Sequence, residues 1–150
     1  MANKVKLMPT VSELNGIVPA RLGTDTVANA GHLTDADIGK PLKIVAADRY
    51  GLCADGDVPE GWLVSVNPDT DSGYAYGSVQ TGNMVQVELD GAVTIGALVA
   101  AAAPAAARTA EDNGLGKVSA HTGTATDKAR WQLVSGTGLD GDTTAVIKRC

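Results

Sequence analysis

The residues best equipped for chemistry in this 150-residue chain are His32, His121, Cys53, Cys150 and the 17 acids. No G-x-S-x-G element is present, and neither histidine stands beside a recognisable nucleophile. His32 precedes a helix-start signal and His121 adjoins a loop, so both read as ordinary surface residues. Cys53 lies in an acidic neighbourhood, which raises a thiol pKa and suppresses the thiolate. Cys150 is the final residue of the sequence. Two histidines and two cysteines this widely separated match no zinc spacing. Residues 67–73, Asn-Pro-Asp-Thr-Asp-Ser-Gly, place oxygen ligands at alternate positions as calcium loops do. That pattern then requires Gly at its sixth place and Glu at its twelfth, where this chain has Ser72 and Ser78. A hydrophilic turn, with Asp and Ser bonding their own backbone, accounts for the stretch. Gly114-Leu115-Gly116 and Gly136-Thr137-Gly138 lack the rest of a dinucleotide fingerprint. The chain is therefore expected to use no metal and no cofactor, and no catalytic residue is assigned.

The chain around these groups reads as β structure. In residues 84–89, Val85, Val87 and Leu89 alternate with Met84, Gln86 and Glu88, the period of a strand with one buried face. Asp90-Gly91 suits a tight turn, and Val93 and Ile95 alternate with Ala92 and Thr94 beyond it. Residues 84–99 are thus expected to form a central hairpin, covered by other short β segments. Further strands are expected at 42–47, 62–66, from 77, at 118–120, 130–134 and 145–148. Thr34, with Asp35 and Asp37 behind it and Gly39 after, predicts a single helical turn. Residues 48–60 are dense in turn formers and predict a loop. Pro104 interrupts the alanine run 100–107, predicting an irregular connection or a short helix starting there. Short strands at spacings near ten residues predict a mainly β fold. It would be a compact β-barrel or sandwich of short antiparallel strands, with at most one or two short helices.

Residues 1–30 hold no sustained period yet carry scattered apolar side chains, more than a flexible tail usually has. They read as an extended N-terminal arm that orders on its own domain, on a sister subunit or on a larger surface; one or two edge strands is the equal alternative. The division expected is an arm at 1–30 and a β-barrel domain at 31–150. If the arm docks, its contacts are Val5, Leu7, Met8, Val11, Leu14, Ile17 and Val18.

Composition narrows the partners. The net charge is −5, and between Arg49 and Arg108 there is no Lys or Arg. That stretch holds Asp55, Asp57, Glu60, Asp69, Asp71, Glu88 and Asp90. Phosphate binding needs concentrated cations, so nucleic acid is not an expected partner. The start of the chain is polar without an apolar signal core, and no run is long enough to span a bilayer. Reduced thiols and an intracellular origin are expected. Aromatics are only 3% with no Phe, which leaves Trp62 and Trp131 as the large core pieces.

Several phrases resemble one family. Ile38-Gly39-Lys40-Pro41-Leu42 comes first, then Ala54-Asp55-Gly56-Asp57 with Gly61-Trp62-Leu63-Val64. Val85-Gln86-Val87-Glu88-Leu89-Asp90-Gly91 and Val93-Thr94-Ile95-Gly96-Ala97-Leu98-Val99 follow, then a Gly-rich turn and a short strand. Over roughly residues 35–148 the chain resembles the small capsid decoration, or cement, proteins of tailed bacteriophages, of the β-barrel type. The resemblance implies a structural role on the outer surface of the phage head, bridging capsomers and stabilising the capsid. It implies the major capsid protein and sister copies, commonly as a homotrimer, as partners. It also implies a virion location after synthesis in the host cytoplasm, and no enzymatic activity. Two other functions fit the residues. One is a particle-displayed module for glycans or a host surface, built on loops 48–60 and 67–77 with their three tyrosines. The other is a small glycan-cleaving enzyme, whose mark would be two facing carboxylates, one with a raised pKa.

Overall fold

The computed structural model of the chain describes residues 16–22, 33–46, 49–68, 75–102, 114–123 and 131–150. The fold is mainly β, built as two mixed sheets. The first holds β1 (Ile17–Leu22), β2 (Pro41–Ala46), β3 (Arg49–Leu52), β4 (Gly61–Pro68) and β5 (Ala75–Gln80). Its order, β1-β3-β2-β4-β5, curls until β1 also pairs with β5, so the ring of hydrogen bonds closes. Register shifts at Ile44/Ala46 and Leu63/Ser65 bend β2 and β4 as a small barrel requires. Leu22, Leu33, Leu42, Leu63 and Val79 fill its interior.

The second sheet holds β6 (Met84–Leu89), β7 (Val99–Ala101), β8 (Gly116–Ala120), β9 (Trp131–Ser135) and β10 (Ala145–Arg149), in the order β7-β8-β6-β10-β9. A bridge from Leu98 to Gln132 ties its two outer strands, so this sheet curls as well. Its core contains Val87, Leu89, Val93, Val118, Trp131, Leu133 and Ile147, together with Trp62 from β4 of the barrel. Trp62 and Trp131 meet edge to face with ring centroids 5.8 Å apart. Trp131 Nε1 donates to the Pro59 carbonyl at 3.1 Å. Arg149 at the end of β10 donates to the carbonyls of Glu60 and Thr81. These contacts lock the two sheets together. Gly116 leaves room for the stack, since a Cβ there would sit 2.6 Å from Trp62 Cζ3 and against the Gly39 carbonyl.

The strands expected at 42–47, 62–66, 118–120, 130–134 and 145–148 appear within two residues of their predicted ends, and the one expected from 77 begins at Ala75. The single helical turn is a 3-10 turn at Asp35–Asp37, where the Asp37 carboxylate accepts the Thr34 N–H at 2.9 Å. Three expectations need correction. The central hairpin does not form. β6 is a strand, but residues 92–97 are not, because both flanks of β6 are taken by distant segments: β10 antiparallel and β8 parallel. After the turn, Val93 N–H bonds to the Gly138 carbonyl at 2.9 Å instead of to β6. The loop expected at 48–60 begins with β3, since the ladder to β2 satisfies its backbone groups whatever its composition. The strands are not all antiparallel: β1–β3 and β6–β8 run parallel.

Within the stretch read as an arm, Ile17–Leu22 is the strand that closes the barrel, between β3 and β5. Val5, Leu7, Met8, Val11 and Leu14 lie outside the described residues, as do His32, Pro104 and most of the calcium-like stretch 67–73. Among the described residues no helix is long and apolar enough to cross a membrane.

Candidate functional site

A groove of about 490 Å³ opens on the barrel, lined by Val18, Pro19, Arg21, Ile44, Arg49, Tyr50 and Tyr76. Strand pairing explains this grouping. Arg21 lies opposite Arg49 across β1 and β3, and opposite Tyr76 across β1 and β5. Directly opposed residues share a face of the sheet, so Tyr76, Arg21 and Arg49 form one row across three strands. Pro19, two residues before Arg21, belongs to the same face. Ile44, on β2 opposite Tyr50, stands 56% exposed at the rim, and Tyr76 is 39% exposed. Val18 and Tyr50 connect the groove to the interior, where both pack against the barrel core. Burial pushes the Tyr50 phenol up, the Glu60 charge adds to this, and Arg149 opposes it; the hydroxyl stays protonated at neutral pH.

The described lining thus combines two guanidinium groups, two phenol rings and three aliphatic side chains, and includes no acid. Such a surface can hold an anion between flat and branched apolar walls.

The described groups singled out for chemistry do not line this groove. Cys53 is buried, and burial, then Asp57, push its thiol up to about 12 against the pull of Lys43. A thiol so shifted is not a nucleophile at neutral pH. Both cysteines are free. Asp57 accepts the Lys43 ammonium at 2.5 Å and the Ala54 N–H at 2.7 Å. Burial works to raise its carboxyl, but those two hydrogen bonds and the Lys43 charge outweigh it, and the net shift is downward. Asp142 is buried between β9 and β10 and accepts the Thr144 hydroxyl and N–H at 2.7 and 2.8 Å and the Thr137 N–H at 2.5 Å. The Thr144 hydroxyl leads in holding this carboxyl far below the usual carboxylate range. A proton-donating acid needs the opposite displacement. Among the described residues no group of three or more His, Cys, Asp or Glu is placed to hold a metal ion.

Of the arm residues named from sequence as contacts, Val18 lines the groove and Ile17 lies beside it on β1, paired with Gln80. Arg21, Ile44 and Arg49 were not indicated by any sequence pattern. Tyr50 and Tyr76 come from the two stretches read as tyrosine-bearing loops, although both belong to strands. Comparisons with protein-family models, curated proteins and solved structures find no match.

Proposed function

We propose that this chain is a structural capsid decoration protein that binds the outer surface of a phage head and stabilises it by bridging capsomers. The observation that carries the reading is the course of β1. The strand that follows the apolar residues 5–14 forms a wall of an exposed, partly apolar groove. A segment able to order on a partner is thereby contiguous with a surface able to hold one, which joins arm and body into a single contact area. The major capsid protein and sister copies are the partners in this reading, and the protein travels with the virion.

The test is binding to undecorated heads, read by co-sedimentation. The full chain is expected to saturate them, and a variant lacking residues 1–15, which retains all of β1, to lose most of its affinity. Undiminished binding by the truncated chain removes the arm from the mechanism, and no binding by the full chain removes the function.

A module for glycans or a host surface is the second reading, because Tyr50 and Tyr76 meet in one groove beside two arginines. Aromatic faces with hydrogen-bonding neighbours suit a sugar ring. A glycan array without a hit on the full chain eliminates it.

A further inference from the structure

We infer that the groove formed by β1, β3 and β5 captures an acidic segment of a partner protein. The Arg21–Arg49 pair takes a carboxylate, and Pro19, Ile44 and Tyr76 take a neighbouring apolar side chain. This deepens the decoration reading and rests on it for the identity of the partner.

Adjacent strands lie about 4.8 Å apart, and like charges set directly opposite each other destabilise a strand pair. Arg21 and Arg49 are in this arrangement, in register across β1 and β3. A carboxylate between them would offer both guanidinium groups a charge-assisted hydrogen-bonding partner. Both arginines are also engaged within the chain. Each guanidinium carries five N–H donors in a planar fork and can serve more than one acceptor.

The rest of the lining selects the class of ligand. Val18, Pro19 and Ile44 present branched or ring carbon with no hydrogen-bonding side chain. A sugar held against them would bury hydroxyls without partners, at a cost, whereas an apolar residue next to Asp or Glu loses nothing there. The volume of about 490 Å³ suits a few side chains rather than a whole domain. β1, β3 and β5 have hydrogen-bonded neighbours on both sides. A partner therefore enters through side chains and not by adding a strand to an edge. With a net charge of −5 the chain as a whole repels acidic partners. The arginine pair accordingly selects and orients at short range, and salt weakens it only modestly once the contact is made.

The probe is a peptide labelled at its N-terminal amine, fluoresceinyl-Leu-Glu-Leu-Asp-Leu-amide, with a twin carrying Gln and Asn in place of the two acids. Anisotropy is read against the full-length protein. The acidic peptide is expected to bind about 10-fold or more tighter than its twin, which corresponds to one charge-assisted contact. Arg49→Gln and Arg21→Gln should each abolish most of that preference. Arg49→Lys, which keeps the charge without the fork, should lie between. Ile44→Ser, at an exposed position and therefore tolerated by the fold, should weaken both peptides alike. Equal binding of the two peptides, or an unchanged preference in Arg49→Gln with a native circular dichroism spectrum, overturns the proposal. Arg49-dependent binding of sialyllactose without peptide binding overturns it in favour of a carboxylated glycan. Head binding by the same proteins separates the two levels. If the peptide preference holds but heads are not bound, the groove stands and the decoration reading falls. If heads are bound equally by wild type and Arg49→Gln, the groove is not the capsid contact.

Discussion

Trp131→Phe and Trp62→Phe remove the same indole atoms from two neighbouring, fully buried rings, 0% and 1% exposed. Their packing losses are therefore similar. Their hydrogen-bonding consequences are opposite. Trp131 Nε1 donates to the Pro59 carbonyl, a bond joining the second sheet to the segment before β4. Phenylalanine there leaves a buried carbonyl unsatisfied, which costs about 1–3 kcal/mol. Trp62 Nε1 is buried with no acceptor among the described residues. Phenylalanine at that position deletes an unsatisfied donor and recovers a similar amount, about 1–3 kcal/mol. Trp131→Phe should thus be less stable than Trp62→Phe by at least about 2 kcal/mol, the sum of the two lower limits. With a urea m-value of about 2 kcal/mol/M, the midpoints should differ by about 1 M. Far-ultraviolet circular dichroism is the appropriate probe, since each variant loses one of the two tryptophans that fluorescence would follow. Coincident midpoints would mean that the Pro59 bond contributes nothing or that the Trp62 N–H is satisfied, and either contradicts the structure.

Two further outcomes follow from the ionisable groups. The Asp142 carboxyl is held below its unfolded value, so it contributes stability above about pH 4 and loses that contribution as pH falls through its folded value. Asp142→Asn should be less stable than wild type at pH 7, with the gap narrowing in denaturation curves taken below pH 4; a gap independent of pH contradicts the assignment. Cys53 is 6% exposed, with its thiol pushed up to about 12, while Cys150 is exposed. At pH 8 a disulfide-exchange reagent should therefore titrate one thiol quickly and the second only after unfolding. Two fast equivalents refute the burial of Cys53.

The mainly β class and the position of most strands are legible in the residues alone, because alternation is a local property. Val85, Val87 and Leu89 must face one way on any extended chain, as must Trp131 and Leu133. The turn at Thr34–Gly39 is equally local; at Cys53 the acidic neighbours give the direction of the shift, but burial, a tertiary property, leads it. Pairing was decided only by tertiary structure. Residues 92–97 have the pattern to return beside β6, but β8 and β10 occupy both of its flanks. Arg49–Leu52 became a strand because β2 and β1 supply backbone partners that its turn-rich composition could not reveal. The candidate site was hidden for the same reason. Arg21, Arg49 and Tyr76 are far apart in sequence and carry no motif; closure of the barrel alone sets them in one row, because a hydrogen-bonded ring fixes register between strands that share no local signal.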